Sequence, residues 1–382
     1  MKKIICIFGT RPEAIKMAPV LRELQKKKDL FKIVVIATAQ HRQMLDQVLR
    51  LFNFQSDYDL NIMQESQTLY YITISSLSKL EKVINRENPD FILVQGDTTT
   101  TFAAALAAFY QKVPVGHIEA GLRSYDRFNP YPEEVNRLLT DALCDLHFAP
   151  TPTAKRNLLK ENIKKESIFV TGNTVVDAFY LVLKRSHRFR NNVLEKIDFN
   201  RRRIILVTAH RRENWGIPLE NICLSIRQLI QKYDDLEIVY PVHFNPNVKK
   251  VVYRILKNSP RIHLIKPLDY LDFLNLLNKC FLLLTDSGGL QEEAPSLGKP
   301  VLLLREVTER PEGVEAGTVK VVGLSKERIF RETCNLLDNK RMYDKMATSV
   351  NPYGDGKASL RIVEAILYYF RIINRRPKDF TP

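Results

Sequence analysis

A chain of 382 residues is too long for one ordinary hydrophobic core, so two domains are expected. With 45% hydrophobic and 26% charged residues, and no apolar stretch near the roughly 18–20 residues that span a bilayer, the composition is globular and argues against integral membrane association. The net charge of +15 admits nucleic acid, an anionic surface or a small polyanion as partner, while five scattered cysteines without a Cys-x-x-Cys pair point to reduced thiols, a cytoplasmic address and no zinc site.

The apolar run Ile4–Phe8 reads as a buried parallel strand, and it breaks into Gly9-Thr10-Arg11-Pro12-Glu13-Ala14-Ile15-Lys16. Thr10 and Glu13 have capping-box spacing, and Pro12 suits a first helical turn, where its missing N–H has no partner anyway. This strand-to-helix loop aims backbone N–H groups above the sheet, with Arg11 and Lys16 beside it. Further runs follow at Ile33–Ala37, Phe91–Val94, Val113–Ile118 and Leu146–Ala149. After the basic, poorly patterned stretch Lys184–Arg203, where a domain junction is expected, come Ile204–Thr208, Ile238–Val242, Ile262–Ile265, Phe281–Thr285 and Val301–Leu304. Such β-branched runs alternating with helical patterns predict an α/β protein of two doubly wound Rossmann-like domains.

Ligands of such sheets bind beyond the carboxyl ends of the strands. Asp97 lies just past Phe91–Gln95, the helical stretch Thr98–Tyr110 follows, and Glu119 ends the next strand. One βαβ unit thus carries both carboxylates to one sheet edge. Glu133 and Glu134 fall at the first turn of a helix, where a carboxylate has a purely structural use. In the second half His210-Arg211-Arg212-Glu213 follows a strand, and Asp286-Ser287-Gly288-Gly289 leads into a helix from Leu290 onward. Glycines at a helix start let a phosphate approach the backbone closely, and the Glu292-Glu293 pair beyond is suited to ribose hydroxyls. There is no Gly-x-Gly-x-x-Gly after the first strand and no Walker A sequence, so no nicotinamide or ATP cofactor is expected.

Gly9–Pro19, Gln40-His41-Arg42-Gln43-Met44-Leu45, Gly96-Asp97-Thr98-Thr99-Thr100-Thr101 and His117-Ile118-Glu119-Ala120-Gly121-Leu122-Arg123 closely resemble the non-hydrolysing UDP-N-acetylglucosamine 2-epimerases. So do Ala209–Asn214, Pro267–Phe273, Asp286–Gly289, Glu292–Gly298, Glu309-Arg310-Pro311-Glu312 and Asn351–Gly356, in order from about residue 3 to about residue 368. The resemblance implies a glycosyltransferase-B-like pair of domains with the active site in their cleft, and a homodimer. Expected limits are residues 1–175 for the first domain and 176–357 for a UDP-binding second, with a helix over 358–375 packing back onto the first. By position, catalytic roles fall on Asp97, Glu119, Glu133 and His210. Contacts to UDP-N-acetylglucosamine and UDP fall on Arg11, Lys16, Asp97, Glu119, His210, Leu268, Phe273, Ser287, Gly288, Gly289, Glu293 and Arg310. The contact at Leu268 is expected through its backbone. Neither cofactor nor metal is implied, and the product is expected to feed cell-surface polysaccharide.

The C2 proton of the sugar is not acidic, because C1 is an acetal carbon. Loss of UDP gives C1 oxocarbenium character, removal of the C2 proton leaves 2-acetamidoglucal, and readdition with protonation on the other face yields the manno epimer. This scheme needs a base, an acid and a holder for the diphosphate. A UDP-sugar glycosyltransferase would need an acceptor, which three carboxylates on the first domain argue against; a hydrolysing epimerase shares Gly-Thr-Arg but not the Pro-Glu-Ala-Ile-Lys continuation. A non-enzymatic binder of anionic surfaces or nucleic acid is the remaining class, and neither partner is expected. Some members are activated by substrate at a second site contacted by the segment that is Gln40, His41, Arg42 and Gln43 here. Activated relatives carry an arginine where this chain has Ser66, so weak or absent activation is expected.

Overall fold

The computed structural model describes residues 1–39, 42–64, 66–183 and 187–382, with only the backbone of 42–44. The chain divides into two compact units, Met1–Val182 with Tyr353–Pro382, and Leu183–Pro352. The strands of the first are β1 (Lys2–Phe8), β2 (Phe31–Ala37), β3 (Tyr58–Asp59), β4 (Phe91–Gln95), β5 (Val115–Ile118), β6 (Leu146–Ala149) and β7 (Ile168–Val170). They form one sheet in the order 3-2-1-4-5-6-7, with every pair parallel. The second unit holds β8 (Arg203–Thr208), β9 (Leu236–Pro241), β10 (Ile262–Ile265), β11 (Leu282–Thr285), β12 (Val301–Leu303) and β13 (Val319–Val321). Their order is 10-9-8-11-12-13, again all parallel.

Successive side chains of a strand face opposite sides of a sheet, and Ile4, Ile5, Cys6, Ile7 and Phe8 are all buried, so helices cover both faces around β1. The register is set by Ile4 beside Ile33 on one side and Phe91 on the other. In each unit the first strand lies centrally and the strand order reverses beside it, between β1 and β4 and between β8 and β11. Those reversals open a crevice at the carboxyl edge. The two doubly wound domains expected from the hydrophobic runs are therefore observed.

Three strands carry no readable run. β3, β7 and β13 have two or three residues each and lie at sheet edges, too short to show a period even where, as in β7, all three residues are buried. The end of the chain covers β7: the Phe380 N–H donates to the Val170 carbonyl at 2.7 Å, and the Val170 N–H donates to the Asp379 carboxylate at 3.0 Å. The expected strand from Val113 begins at Val115 instead, because Lys112 turns through φ +57°.

The limit expected at 175 falls inside the helix Thr174–Val182, which packs on the helix Arg11–Gln25 and stays whole within the first unit. The chain re-enters that unit at Tyr353, earlier than the expected 358. Its last long helix is Ala358–Tyr369, packed on the same two helices and capped by Asp177, which accepts from the Ser359 N–H at 2.8 Å and its hydroxyl at 2.5 Å. It ends before the expected 375 because Arg371 adopts φ +57°, which no helix accommodates. Among the described residues no helix is long and apolar enough to cross a membrane.

Candidate active site

At the reversal in the first unit, Glu13 ties two loops together. One carboxylate oxygen accepts from the N–H groups of Gly9 and Thr10, both at 2.7 Å, and the other accepts from the hydroxyls of Thr98 and, at 2.9 Å, Thr101. Burial pushes the Glu13 carboxyl up, and these donors oppose it. The capping-box spacing predicts only the local half of this arrangement; the bonds to Thr98 and Thr101 cross from the β1 loop to the β4 loop. Thr98 in turn caps the helix Thr99–Tyr110.

Asp97 follows β4 and is half-buried. Its carboxylate meets the Arg137 guanidinium at 2.6 Å, and its carbonyl accepts from the Asn136 amide at 2.9 Å. Both partners stand on the helix Glu133–Leu143, so that helix orients Asp97 as well as presenting Glu133. The adjacent glutamates separate sharply. Glu134 is 1% exposed and accepts from the N–H groups of Ser124 and Tyr125, each at 2.9 Å, and from Arg137 at 3.1 Å. Glu133 is half-buried; burial raises its carboxyl above the ordinary range, the Asp97 charge raises it further, and Arg137 works the other way.

Glu119 ends β5 in the left-handed region at φ +72°, a conformation that costs a non-glycine residue roughly 1–3 kcal/mol and concentrates at functional positions. Its buried carboxylate is held by the Lys16 ammonium and the Gln95 amide, with the Asn173 amide 3.5 Å from the other oxygen. Lys16, expected as a substrate contact, thus lies against a carboxylate instead of facing open solvent. Arg11 stands at the start of the helix Arg11–Gln25, and its guanidinium makes no hydrogen bond or ion pair among the described residues. Gln40 and His41 lie outside the described residues, as does the Gln43 side chain, while Ser66 is exposed.

In the second unit the carboxyl edge is organised by Asp286. Fully buried at the end of β11, it accepts from the N–H groups of His210 at 2.7 Å and Arg211 at 2.8 Å and from the Asn214 amide at 3.0 Å. The His210 ring stacks on His243 with centroids 5.2 Å apart. Burial, followed by the neighbouring His210, lowers the His243 pKa. The helix expected after Gly289 is only the turn Leu290–Glu293, continued as a 3-10 turn over Ala294–Leu297, because Pro295 has no N–H for an α-helical bond. Phosphate binding at Ser287–Gly289 would therefore depend on the loop's own N–H groups and not on a long helix dipole.

Arg310 is packed against this loop: a Cβ on Gly288 would lie 2.7 Å from its Nη1, so any side chain there would have to displace the guanidinium. The guanidinium is already shared, with buried Glu292 on Nε and Glu309 on Nη1 at 2.8 Å. Burial alone would raise the Glu309 carboxyl, yet Arg310 and Arg305 bring it down to about 2. Glu293 is half-buried at the end of the short helical turn, and Leu268 and Phe273 are half-buried beyond the carboxyl end of β10. The basic stretch ahead of β8 is largely paired in its described part, Arg188 with Glu195 at 2.7 Å and Arg203 with Asp235 at 2.6 Å.

A sequence profile described as UDP-N-acetylglucosamine 2-epimerase matches residues 22–367. The chain belongs to that family. It is accordingly an enzyme of the isomerase class. The UDP-N-acetylglucosamine 2-epimerase of Bacillus subtilis is 52% identical over 379 residues, covering 99% of this chain and 98% of the relative. The crystal structure of the Neisseria meningitidis enzyme bound to UDP-N-acetylglucosamine superposes with a TM-score of 0.86 at 52% identity, over 96% of this chain and 99% of that one. The glycotransferase of kitacinnamycin, at 11% identity and a TM-score of 0.66 over 96% of this chain and 98% of that one, shares the glycosyltransferase-B-like fold alone. Sequence reasoning missed Gln95, Asn136, Arg137 and Asn173; each is an ordinary polar residue whose partner lies far along the chain.

Proposed function

We propose that this epimerase interconverts UDP-N-acetylglucosamine and UDP-N-acetylmannosamine without hydrolysis, through elimination of UDP and readdition across 2-acetamidoglucal. The observation that carries this reading is the unlike setting of two carboxyl groups at one sheet edge: Asp97 against a guanidinium, and Glu133 raised by burial and bonded to no cation among the described residues. A proton removed from one face of C2 and delivered to the other needs a base and an acid, and burial moves Glu133 in the direction an acid needs. In the forward direction the C1–O bond to UDP breaks, a carboxylate takes the C2 proton, and the C1–C2 double bond forms. UDP then adds back at C1 while a carboxyl group protonates C2 from the opposite face.

Glu119 and Lys16 are proposed as a preset ion pair beside the reacting carbons. Arg11, the Ser287–Gly289 loop and Arg310 are proposed to hold the diphosphate, with His210, Leu268, Phe273 and Glu293 lining the rest of the nucleotide site. The proposed homodimer has a candidate face in the first unit. The neighbouring helices Leu69–Glu87, Thr99–Tyr110 and Glu133–Leu143 leave Tyr70, Ile74, Phe109, Tyr110 and Leu139 exposed, large apolar side chains that a second copy would cover.

The test is proton NMR of the purified protein with UDP-N-acetylglucosamine in deuterated water. The manno sugar nucleotide should appear with deuterium at C2 of both epimers. Free N-acetylmannosamine with released UDP would identify a hydrolysing enzyme, and turnover without C2 exchange would eliminate the glycal route.

A further inference from the structure

His117, on β5, is fully buried and has both ring nitrogens on oxygen. Nε2 lies 2.7 Å from the Gly96 carbonyl, which carries no proton, so Nε2 must donate. Nδ1 lies 2.6 Å from one carboxylate oxygen of Asp141. The other oxygen of Asp141 accepts from the Arg123 guanidinium at 2.5 Å and from the Gly121 N–H at 3.2 Å. With the Arg123 guanidinium and the Gly121 N–H both on its other oxygen, Asp141 is held as a carboxylate without any help from His117, so it too only accepts. Two acceptors require two N–H groups.

We propose that His117 is a buried imidazolium that positions Asp97. The charges around it balance. Arg123 reaches on to the partly exposed Glu161 at 2.7 and 2.6 Å, so its one charge is shared between two carboxylates and a protonated His117 supplies the second cation. His147, level with His117 on β6, behaves differently: its Nε2 donates to the Asp141 carbonyl at 2.8 Å, and its Nδ1 faces the Ser167 hydroxyl at 3.4 Å. Burial lowers its pKa and keeps it neutral. Of the nearby groups, Cys144 stays a thiol because burial pushes it far up, and the Asp145 carboxylate is engaged by the Val115 N–H at 2.9 Å.

The Gly96 peptide is gripped at both ends by β5, its N–H on the Ile118 carbonyl at 3.0 Å and its own carbonyl on His117. Asp97 leaves directly from this peptide, and its later atoms are held by Asn136 and Arg137. A charged donor makes the firmer bond, which gives the cation a use that a neutral imidazole would serve less well. The positioning part of this proposal rests on the epimerase reading of Asp97; the charge on His117 does not.

The experiment uses the full chain labelled with nitrogen-15 histidine, one of seven histidine signals being assigned to His117 by its loss in His117→Gln. Both ring nitrogens of His117 should stay at protonated shifts from about pH 6 to about pH 9, a range in which ordinary histidines lose their proton. An unprotonated ring nitrogen within that range overturns the proposal, whether or not the protein turns over substrate. If His117→Gln does not fold, Asp141→Asn serves instead, since the same signal should then begin to titrate; a signal that still does not move overturns the ion-pair argument. Where His117→Gln folds, it keeps an N–H donor and loses the charge. Its kcat should fall about tenfold to a hundredfold, the scale for removing a group that orients a functional side chain. KM and UDP affinity should change by less than about threefold. Parallel losses in kcat, KM and UDP affinity would mean a purely structural histidine.

Discussion

Glu133 and Glu134 are adjacent, yet exchanging each for its amide is expected to produce opposite phenotypes. In Glu134→Gln one of the two N–H groups of Ser124 and Tyr125 loses its acceptor and the Arg137 guanidinium loses a carboxylate. A lost hydrogen bond to a charged group costs about 1.5–3 kcal/mol. At roughly 2–4 °C per kcal/mol for a domain of this size, the melting temperature should drop by about 3–12 °C. Turnover at 25 °C should change little, because the fold survives and no proposed catalytic atom is removed. Glu133→Gln should lower kcat by roughly 10²–10⁴-fold, about 3–5 kcal/mol on the barrier, the scale for a positioned acid or base. Its stability moves the other way. A carboxyl whose pKa is raised in the folded state binds its proton more tightly there, so the wild type loses stability as pH rises from the ordinary carboxyl range through the raised value. The amide does not titrate, so at neutral pH Glu133→Gln should melt at or above the wild type, with the difference gone in acid. Thermal melts by circular dichroism at acid and neutral pH, beside initial rates for both variants, decide the matter. A larger kcat loss in Glu134→Gln than in Glu133→Gln would refute the division of roles.

Arg11→Ala should weaken UDP binding by about tenfold to a hundredfold in calorimetric titration, the cost of one charged hydrogen bond, with little effect on the melting temperature because no protein partner is lost. Arg310→Ala should weaken UDP binding and also destabilise the fold, since Glu292 is left buried without its guanidinium; unchanged melting would contradict the ion pairs around Arg310. Gly288→Ala should reproduce the binding loss of Arg310→Ala by displacing that guanidinium, and normal UDP affinity in both variants would move the diphosphate elsewhere. The reverse reaction started from UDP-N-acetylmannosamine alone should show no pronounced lag, given Ser66; a lag abolished by a trace of the gluco epimer would show that substrate activation operates.

What the amino-acid sequence determined by itself is local. The runs at Ile4–Phe8, Phe91–Gln95 and Ile204–Thr208 can only be strands covered on both faces, and the residues that follow each one must stand at the carboxyl edge, so Arg11, Asp97 and His210 were legible from chain order alone. Glycine, proline and capping residues marked where the helices begin. Tertiary structure decided the rest. Glu119 meets Lys16 across 103 residues of chain, and Asp97 meets Arg137 across 40. No periodicity encodes such pairings, because they depend on which helix packs beside which strand end. The same holds for the contrast between Glu133 and Glu134: both occupy a first helical turn, and only the packed surroundings give one of them three donors and leave the other a raised carboxyl. Short-range patterning reports which residues are buried; the partners that meet them there are chosen by the packing of distant segments.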